Sequence, residues 1–430
     1  MSTHKKLLFL AYYAPPVQVT GNIRRFHLYK AFQKHFADIY ILTSTNGRRM
    51  RQDPSLVLPE ANIFPIQTFD LRRLLLTKNK QNTPTLSQAT KDNKSFRRFR
   101  RLADSFPFNL LLDDGGLVYI WKGYQKATKI IAQEGITHVF SSFRPYADHL
   151  IAHLLKKKFP ELIWIADFRD LPIDPIRKNI FWPRLQRRWN RYVLKKADLV
   201  TTVSKGLAAH LEPLHPRIYV LPNGIGSATT LSPVKLYQDK FTISYTGSLY
   251  PELQSPAPLF EAIRLLLEAN IITPQNIRLL YAGKDGPTWN QMIQHHQLQS
   301  ICENKGLLNY SKAQQIQRQS HLNLLLSWSS SELTGVLMAK HYDYLAAGRP
   351  IITIINGPRD PEFEERFEEL KAGRVFYIGQ EKVEEAIADY LEREMAIWEE
   401  TGGLASTLVW EKLEGYRWDE LVQGLVRQIF

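Results

Sequence analysis

Short apolar runs alternate repeatedly with helix-like segments along this chain, and this alternation limits the folds that it can adopt. The first run, KKLLFLAYY, ends at Pro15 and Pro16, a helical pattern follows over 21–36, and DIYILTS at 38–44 is a second run. Short aliphatic and aromatic runs that end at loop residues indicate buried strands. A strand, a helix and another strand in this order predict a parallel sheet with helices on its faces.

The alternation fills most of the chain and occurs in two blocks. The first block predicts further strands at 135–142, 161–170, 197–204 and 217–224, after a polar, basic stretch at 46–101 that we interpret as a loop outside the core. The second block predicts strands at 241–248, 276–286, 321–328 and 349–357. We therefore expect an α/β fold of two Rossmann-like halves, and 430 residues are too many for one hydrophobic core.

The C-terminal residues have helical apolar spacing over 384–400 and 416–430. The last helix either closes the second domain or crosses back to the first. We predict domains at 1–232 and 233–407, with a crossover segment at about 408–430 that belongs to the first domain.

Charge is distributed unevenly between the two halves. Residues 1–225 contain 37 Lys and Arg against 16 Asp and Glu, a net charge of +21, whereas the remainder contains 19 against 26, a net charge of −7. A basic half attracts polyanions such as anionic lipid head groups, nucleic acid or pyrophosphate-linked acceptors, and charge alone does not choose among them.

Cysteine content and hydropathy indicate the compartment. Cys302 is the only cysteine, which excludes an intramolecular disulfide and a thiolate zinc cluster and fits a reducing compartment. The apolar run before Pro15 is too short for a signal peptide or a spanning helix, and no other stretch is long and uncharged enough to cross a bilayer. We expect a cytoplasmic protein whose membrane contact is peripheral, at the inner face of the cell membrane.

Ligands of open parallel sheets bind beyond the carboxyl ends of the strands, so the residues that follow each predicted strand are the candidate site. In the first half, Gly21 begins a helix that carries Arg24 and Arg25, a pattern that suits a phosphate or acceptor loop as well as an ordinary glycine turn. ADFRD at 166–170 brings Asp167, Arg169 and Asp170 to a strand end, either as a base with groups that orient sugar hydroxyls or as a structural ion pair.

In the second half, YTGSLY and YAGKDG place Gly247 and Gly283 at two strand ends, where the backbone could approach a diphosphate, and Lys284 adds a positive charge. The strongest pattern is ELTGVLMAKHYDYLAAGRPI at 332–351. Gly335 precedes a helix in which Lys340 and Asp343 are three residues apart and share a face, which suits a diphosphate and ribose hydroxyls or, alternatively, a solvated ion pair.

The twelve histidines do not form a recognisable metal-binding motif, and His149 and His153 on one predicted helix suit a core or surface role better than ligation. We therefore expect no metal and no cofactor, and Lys340 with Asp343 suits a nucleotide-sugar as substrate.

Seven motifs occur in order along the chain: YYAPPVQVTGNIRRF, WIADFRDLP, ADLVTTVSKGLAAHL, VLPNGI, FTISYTGS, RLLYAGKDG and KHYDYLAAGRPII. In their order and spacing they resemble a family 4 retaining glycosyltransferase of the GT-B fold, in the branch that builds bacterial surface polysaccharides. The resemblance implies two Rossmann-like domains that face each other across a cleft. It implies a nucleotide-sugar donor in the C-terminal half, a saccharide or polyprenyl-linked acceptor in the N-terminal half, and chemistry without a required metal.

By position, the resemblance also assigns individual residues. Asp343 corresponds to the second acid of the family's Glu-x7-Glu element, Lys340 to a lysine found in the surface-polysaccharide branch, and Gly21 to the glycine-rich loop over the donor phosphates. The first acid of the element falls at Gly335 and the acceptor-domain histidine falls near Phe143, so this chain departs from the pattern at both positions.

A further departure is that YTGSLYPELQSPAP lacks the family's arginine and lysine pair. Lys340, Lys284 or Arg25 would then neutralise the diphosphate. Asp167, Arg169 and Asp170 would take the role of the missing histidine, unless the path is substrate-assisted.

The basic half also contains a candidate membrane-binding region, FWPRLQRRWNRYVLKKA with Trp182, Trp189 and Tyr192, together with arginines at 97, 98, 100 and 101. A solvated helix with inward aromatics is the alternative. Two other functions remain open: a sugar-nucleotide 2-epimerase, which shares the GT-B architecture, and a nucleic-acid-binding protein, which the sequence pI of about 9.6 alone supports. The sequence does not indicate an oligomeric state.

Overall fold

The computed structural model of the chain describes residues 5–58, 62–68, 98, 101–112, 114–176, 178–226, 235–335, 339–403 and 408–430. These residues form two units, one that runs to Pro222 and includes Trp418–Phe430, and one that spans Asn223–Arg417. The predicted boundary at 232/233 falls within residues 227–234, and the one at about 407/408 falls at the end of residues 404–407; both ranges lie outside the described residues.

The first unit is built on a parallel sheet because its apolar runs are buried on both faces, as sheets covered by helices require. Its described strands are β1 (Lys6–Leu10), β2 (Asp38–Ser44), β3 (Ile63–Ile66), β4 (His138–Phe143), β5 (Ile163–Phe168), β6 (Leu199–Thr202) and β7 (Ile218–Val220). They lie in the order β3-β2-β1-β4-β5-β6-β7, and every adjacent pair is parallel. Strand order reverses between β1 and β4, which is where doubly wound sheets bind ligands.

The helices of this unit cover the two faces of the sheet. They are α1 (Asn22–Phe32), α2 (Asn109–Leu112), α3 (Gly116–Glu134), α4 (Ala147–Lys158), α5 (Pro183–Leu194) and α6 (Lys205–Leu211), with short 3-10 turns at Thr45–Arg49 and Pro54–Leu56. No helix among the described residues is long and apolar enough to cross a membrane.

The second unit repeats this topology. Its described strands are β8 (Phe241–Thr246), β9 (Ile277–Ala282), β10 (Cys302–Asn304), β11 (Leu322–Trp328), β12 (Ile351–Asn356) and β13 (Gly373–Tyr377), in the order β10-β9-β8-β11-β12-β13. Its helices are α7 (Ala257–Glu268), α8 (Gly286–His295), α9 (Tyr310–Gln319), α10 (Ala339–Ala347), α11 (Pro361–Leu370), α12 (Val383–Thr401) and α13 (Trp410–Glu414), with a 3-10 turn at Gln299–Ile301. Strand order reverses between β8 and β11, so this sheet has the same kind of switch point. The predicted α/β fold of two Rossmann-like sheets is confirmed.

The last helix, α14 (Trp418–Ile429), packs on α1 of the first unit. The Trp418 ring stacks on His27 with ring centroids 5.8 Å apart, and Lys34 Nζ forms an ion pair with Asp419 at 2.5 Å. The C-terminal helix therefore crosses back, as the GT-B resemblance implies.

The stretch at 46–101 requires a correction. Its described part is not wholly outside the core, because Ile63–Ile66 forms β3 at the edge of the first sheet and Leu56 and Leu58 are buried. A four-residue run that contains Pro65 is a weak strand signal, and an edge strand tolerates proline because one side of it needs no ladder hydrogen bonds. Residues 69–97, 99 and 100 lie outside the described residues.

Candidate functional site

At the carboxyl edge of the second sheet, the predicted residues Gly247, Gly283 and Lys340 lie in contact. Gly247 follows β8 with φ +120°, and a Cβ atom built on it would lie only 2.4 Å from Lys340 Cε. A Cβ on Gly283, which follows β9, would lie 2.1 Å from the Gly247 carbonyl oxygen. Gly283 therefore has no room for a side chain, Gly247 favours glycine through its positive φ, and the lysine side chain lies directly against the backbone at the end of β8.

Lys340 Nζ is held by residues of the same strand end. It donates hydrogen bonds to Tyr245 Oη at 2.7 Å and to the Ser248 carbonyl oxygen at 3.1 Å, and it lies 4.2 Å from the centroid of the Tyr245 ring. Burial lowers the pKa of Lys340 to about 7, and the nearby carboxylates of Asp285 and Asp343 offset part of this shift. An ammonium group has three N–H donors, so one has no acceptor among the described residues and could bind an anion.

Asp343 is a second partly satisfied group on α10. Its Oδ1 accepts a hydrogen bond from Tyr310 Oη at 2.7 Å, and no described residue donates to Oδ2. Burial raises the pKa of Asp343 to about 6, although the Tyr310 hydrogen bond and the Lys340 charge oppose the shift. The carboxylate can therefore accept a ligand hydroxyl at neutral pH.

Gly335 and Lys284 were also predicted to bind the donor, but they are placed differently from Gly247, Gly283 and Lys340. The Gly335 amide, at φ +67°, donates to Asp360 Oδ2 at 2.8 Å, so a carboxylate of its own unit occupies this N–H, and the phosphate contact predicted for it is not available in this arrangement. Residues 336–338, between Gly335 and α10, lie outside the described residues. Lys284 is half-buried directly after Gly283, and no described residue pairs with its ammonium group.

At the carboxyl edge of the first sheet, Gly21, Arg169 and Asp170 are neighbours. A Cβ built on Gly21 would lie 2.6 Å from the guanidinium carbon of Arg169, so the arginine lies flat against the loop before α1. Arg169 Nε lies 3.5 Å from Asp170 Oδ2, and the Asp170 side chain is 48% exposed. Arg169 and Asp170 are partly exposed and remain accessible to a ligand of the first unit, whereas Gly21 is buried beneath the arginine.

Asp167, in contrast, is committed to another residue. The sequence suggested Arg169 as its ion-pair partner, but the partner is Arg24: Arg24 Nη2 donates to Asp167 Oδ1 at 2.8 Å and Nε donates to Oδ2 at 3.2 Å. Thr201 Oγ1 donates to the same Oδ1 at 2.9 Å. Both charged side chains are buried, which gives this pair the form of a structural ion pair.

Arg25 is likewise surrounded by acceptors of its own unit. Its guanidinium donates to the carbonyl oxygens of Tyr13 at 3.0 Å and Arg144 at 2.8 Å, and to Ser142 Oγ at 3.2 Å. Burial, with a smaller effect from Arg169, lowers the pKa of Arg25 to about 10. The side chain fixes the loops around β1 and β4, and its guanidinium donors are used by acceptors of its own unit, although the sequence grouped Arg25 with the donor-binding residues.

Sequence reasoning missed the two tyrosines that position the second-unit pair, Tyr245 and Tyr310. A signal for the first was present, because Tyr-x-Gly recurs as Tyr245-Thr-Gly247 and Tyr281-Ala-Gly283 at equivalent strand ends. The Tyr245 and Tyr281 rings stack with centroids 6.0 Å apart. The Tyr310–Asp343 hydrogen bond joins residues 33 apart, and nothing in the local pattern indicates it.

The predicted structural roles of two histidines agree with their surroundings. Buried His149 shares a hydrogen bond with Ser141 Oγ at 2.7 Å, and His153 Nδ1 lies 2.8 Å from the Val193 carbonyl oxygen. Among the described residues, no group of three or more His, Cys, Asp and Glu side chains could hold a metal ion.

No family model matches the chain, and no curated protein sequence matches it. Solved structures do match it over nearly its full length. The pneumococcal O-GlcNAc transferase GtfA, in complex with UDP and GlcNAc, has a TM-score of 0.58 at 10% identity and covers 99% of this chain and 98% of its own. The lipopolysaccharide outer core galactosyltransferase WaaB has a TM-score of 0.54 at 11% identity and covers 99% of each chain.

A putative UDP-N-acetylglucosamine 2-epimerase from Listeria monocytogenes is also similar, with a TM-score of 0.53 at 14% identity over 98% of this chain and 94% of its own. Identities this low show the fold and leave the activity open. The two parallel sheets and their shared strand order thus give this chain the GT-B fold of two Rossmann-like domains.

Proposed function

We propose that the chain is a glycosyltransferase that moves a sugar from a nucleotide-sugar donor, bound by the second unit, to a saccharide or polyprenyl-linked acceptor, bound by the first. The observation that carries the proposal is the contact of Lys340 with Gly247, beside Asp343, at the carboxyl edge of β8. A lysine ammonium group beside a glycine backbone suits a diphosphate. A carboxylate on the same helix, with one oxygen that accepts no hydrogen bond from the described residues, suits the ribose hydroxyls.

The proposed mechanism assigns the main role to the leaving group. Negative charge builds on the diphosphate as the glycosidic bond breaks, and a fixed cation stabilises that charge more than the ground state. Lys340 is the residue proposed for this role, while Asp343 fixes the ribose. Retention of configuration, independence of metal and membership of family 4 are further parts of the proposal that rest on the sequence resemblance.

The acceptor side of the proposal involves Arg169 and Asp170, which adjoin Gly21 and remain partly exposed. The buried Asp167 would support this edge through Arg24 and leave the contacts with substrate to its neighbours. The net charge of +21 in the first 225 residues suits a pyrophosphate-linked acceptor and a peripheral position at the cytoplasmic face of the membrane. Synthesis of a surface polysaccharide or glycolipid would use such an acceptor.

The proposal is tested first by ligand-dependent melting. UDP-, GDP-, ADP- and CMP-sugars are screened against the wild type, Lys340→Met and the matched control Lys312→Met, whose lysine is exposed on α9. A ligand at 100 times its Kd stabilises the folded state by about 2.7 kcal/mol. We expect one nucleotide class to raise the Tm of the wild type and the control, and to raise that of Lys340→Met far less. Equal shifts in all three proteins would remove Lys340 from the site.

A 2-epimerase is the second candidate, since the Listeria protein with the same fold has that name. Incubation of the selected nucleotide-sugar without acceptor separates the two functions. Conversion to an isomeric nucleotide-sugar would identify an epimerase. A donor that is stable alone but consumed with a saccharide or polyprenyl-phosphate acceptor would identify a transferase.

A further inference from the structure

Helix α5 of the first unit buries two amide side chains and exposes two large apolar ones. Its buried face contains Val193 and Leu194 together with Gln186 and Asn190, whose side chains bond to each other at 2.9 Å, and Gln186 Oε1 accepts the Phe106 amide at 2.7 Å. Leu185 and Tyr192 lie on the opposite face, where Tyr192 is 51% exposed. A helix that satisfies buried amides and exposes leucine and tyrosine is not arranged for water alone.

A second group of exposed apolar residues lies at the start of α3. Leu117, Val118 and Trp121 are exposed there, Trp121 at 59%, although α3 already buries another face through Tyr119 and Ile120. Leu111 in α2 is also exposed. Single exposed apolar residues are ordinary on protein surfaces, but a cluster of four within eleven residues is not.

The segment 101–112 links the two groups. Phe108 stacks on the exposed Trp182 with ring centroids 6.1 Å apart, and the Leu111 amide donates to the Phe108 carbonyl oxygen at 3.0 Å. Seven of the thirteen exposed large hydrophobic residues of the described chain lie between 111 and 192, so apolar exposure is concentrated here. Trp189 is different, because it is half-buried against Phe106 at 4.4 Å, and this removes it from the anchors predicted from sequence.

The charged residues on α5 and in the first turns of α3 are all basic. Residues 175–197 contain eight Lys and Arg and no acidic residue, and residues 115–133 contain three Lys and no acidic residue. Arg187 and Arg188 are exposed on α5 among the apolar groups. Arginine and lysine stems can lie along an apolar surface while their charged ends reach phosphate groups.

We propose that α5 and the first turns of α3 form one docking surface for an anionic phospholipid leaflet. Trp121, Trp182, Leu185 and Tyr192 would insert at the level of the head groups, and Arg187 and Arg188 would bind lipid phosphates. Tryptophan and tyrosine concentrate at membrane interfaces, and amphipathic cationic helices bind them in plane. This inference rests on the proposed peripheral location and identifies the surface that would contact the membrane. It can be wrong while the chain still transfers sugar.

The test is flotation of the purified full chain with vesicles of phosphatidylcholine alone or with 30 mol% phosphatidylglycerol. One Lys or Arg near an anionic surface contributes about fivefold to partitioning. Arg187→Glu/Arg188→Glu should therefore lower the partition coefficient by at least about 25-fold. Trp121→Ala and Trp182→Ala should each lower it by about tenfold or more through lost apolar burial.

Matched controls come from the second unit, where Ile271→Ser and Lys312→Glu change an exposed apolar and an exposed charged residue. Both should bind vesicles as the wild type does, and thermal melting should show all variants folded. Binding that Arg187→Glu/Arg188→Glu abolishes but both tryptophan variants retain would overturn the proposal and indicate a general polyanion site. A filter assay with single-stranded RNA would then identify nucleic acid as the partner. Failure of the wild type to float with anionic vesicles would also overturn it, whereas donor binding is read separately from the melting shift.

Discussion

Gly247→Ala should weaken donor binding by displacing Lys340, although the substitution adds only one methyl group. The new Cβ would lie 2.4 Å from Lys340 Cε and 2.9 Å from Nζ, closer than non-bonded carbon atoms approach. The atoms that it meets belong to the end of a flexible side chain, so the lysine moves and the backbone need not. Lys340 then loses its fixed contacts with Tyr245 and Ser248.

Two separate magnitudes follow from this geometry. Gly247 has φ +120°, so alanine there adds backbone strain of about 1–3 kcal/mol, which lowers the free energy of unfolding. Loss of one hydrogen bond from a charged group to the diphosphate costs about 1.5–3 kcal/mol, which weakens donor affinity by about 10- to 150-fold. Gly379→Ala is the matched control, because Gly379 has φ +88° and nothing lies within 4 Å of its Cβ position.

The assay combines urea unfolding with calorimetric titration of the nucleotide-sugar selected by melting. We expect both alanine variants to lose stability and only Gly247→Ala to lose affinity. Equal donor affinity in Gly247→Ala and Gly379→Ala would refute the reasoning, because it would mean that the position of Lys340 does not matter to the ligand. If Gly247→Ala does not fold, Lys340→Met tests the same point without backbone strain.

Two further predictions concern charge. Donor affinity should be highest between about pH 6 and pH 7, because Asp343 becomes protonated below its raised pKa of about 6 and Lys340 becomes neutral above its lowered pKa of about 7. Donor titrations from pH 5 to 9 should show that the affinity falls on the alkaline side by at most about tenfold per pH unit. This alkaline decline should be absent in Lys340→Met. Asp167→Ala should lower the free energy of unfolding by about 3–5 kcal/mol, because Arg24 would stay buried without its partner. Asp170→Ala should change the free energy of unfolding by less than about 0.5 kcal/mol. Equal urea midpoints for the two variants would contradict the structural role of Asp167.

The sheets were predictable because the strands are contiguous apolar runs bounded by loop residues. The predicted strand at 38–44 is β2, and the predicted runs at 241–248 and 321–328 contain β8 and β11. Weak runs were not predictable. IFPI in β3 has four residues and a proline, and GRVFY in β13 begins with a glycine and an arginine, so neither differs locally from a loop.

The candidate site was predictable where backbone position alone decides it. Gly247 and Gly283 follow adjacent parallel strands, and the carboxyl ends of such strands meet at one edge, so their contact follows from the topology. Side-chain partners could not be obtained in the same way. Arg24 and Arg25 are adjacent in sequence, yet Arg24 contacts Asp167 and Arg25 contacts the β4 end, because successive helix residues differ in direction by about 100°.

The two sheets share a strand order but differ in how their switch-point charges are satisfied, and this difference supports the proposed division of roles. In the first unit, Arg24 and Arg25 are engaged with internal acceptors, whereas Arg169 and Asp170 keep partial exposure. In the second unit, Lys340 and Asp343 each retain unused hydrogen-bonding capacity despite their burial. Burial of a half-satisfied charge is costly, and a charged ligand that completes its contacts recovers part of that cost. We therefore infer that the donor diphosphate binds at the second sheet.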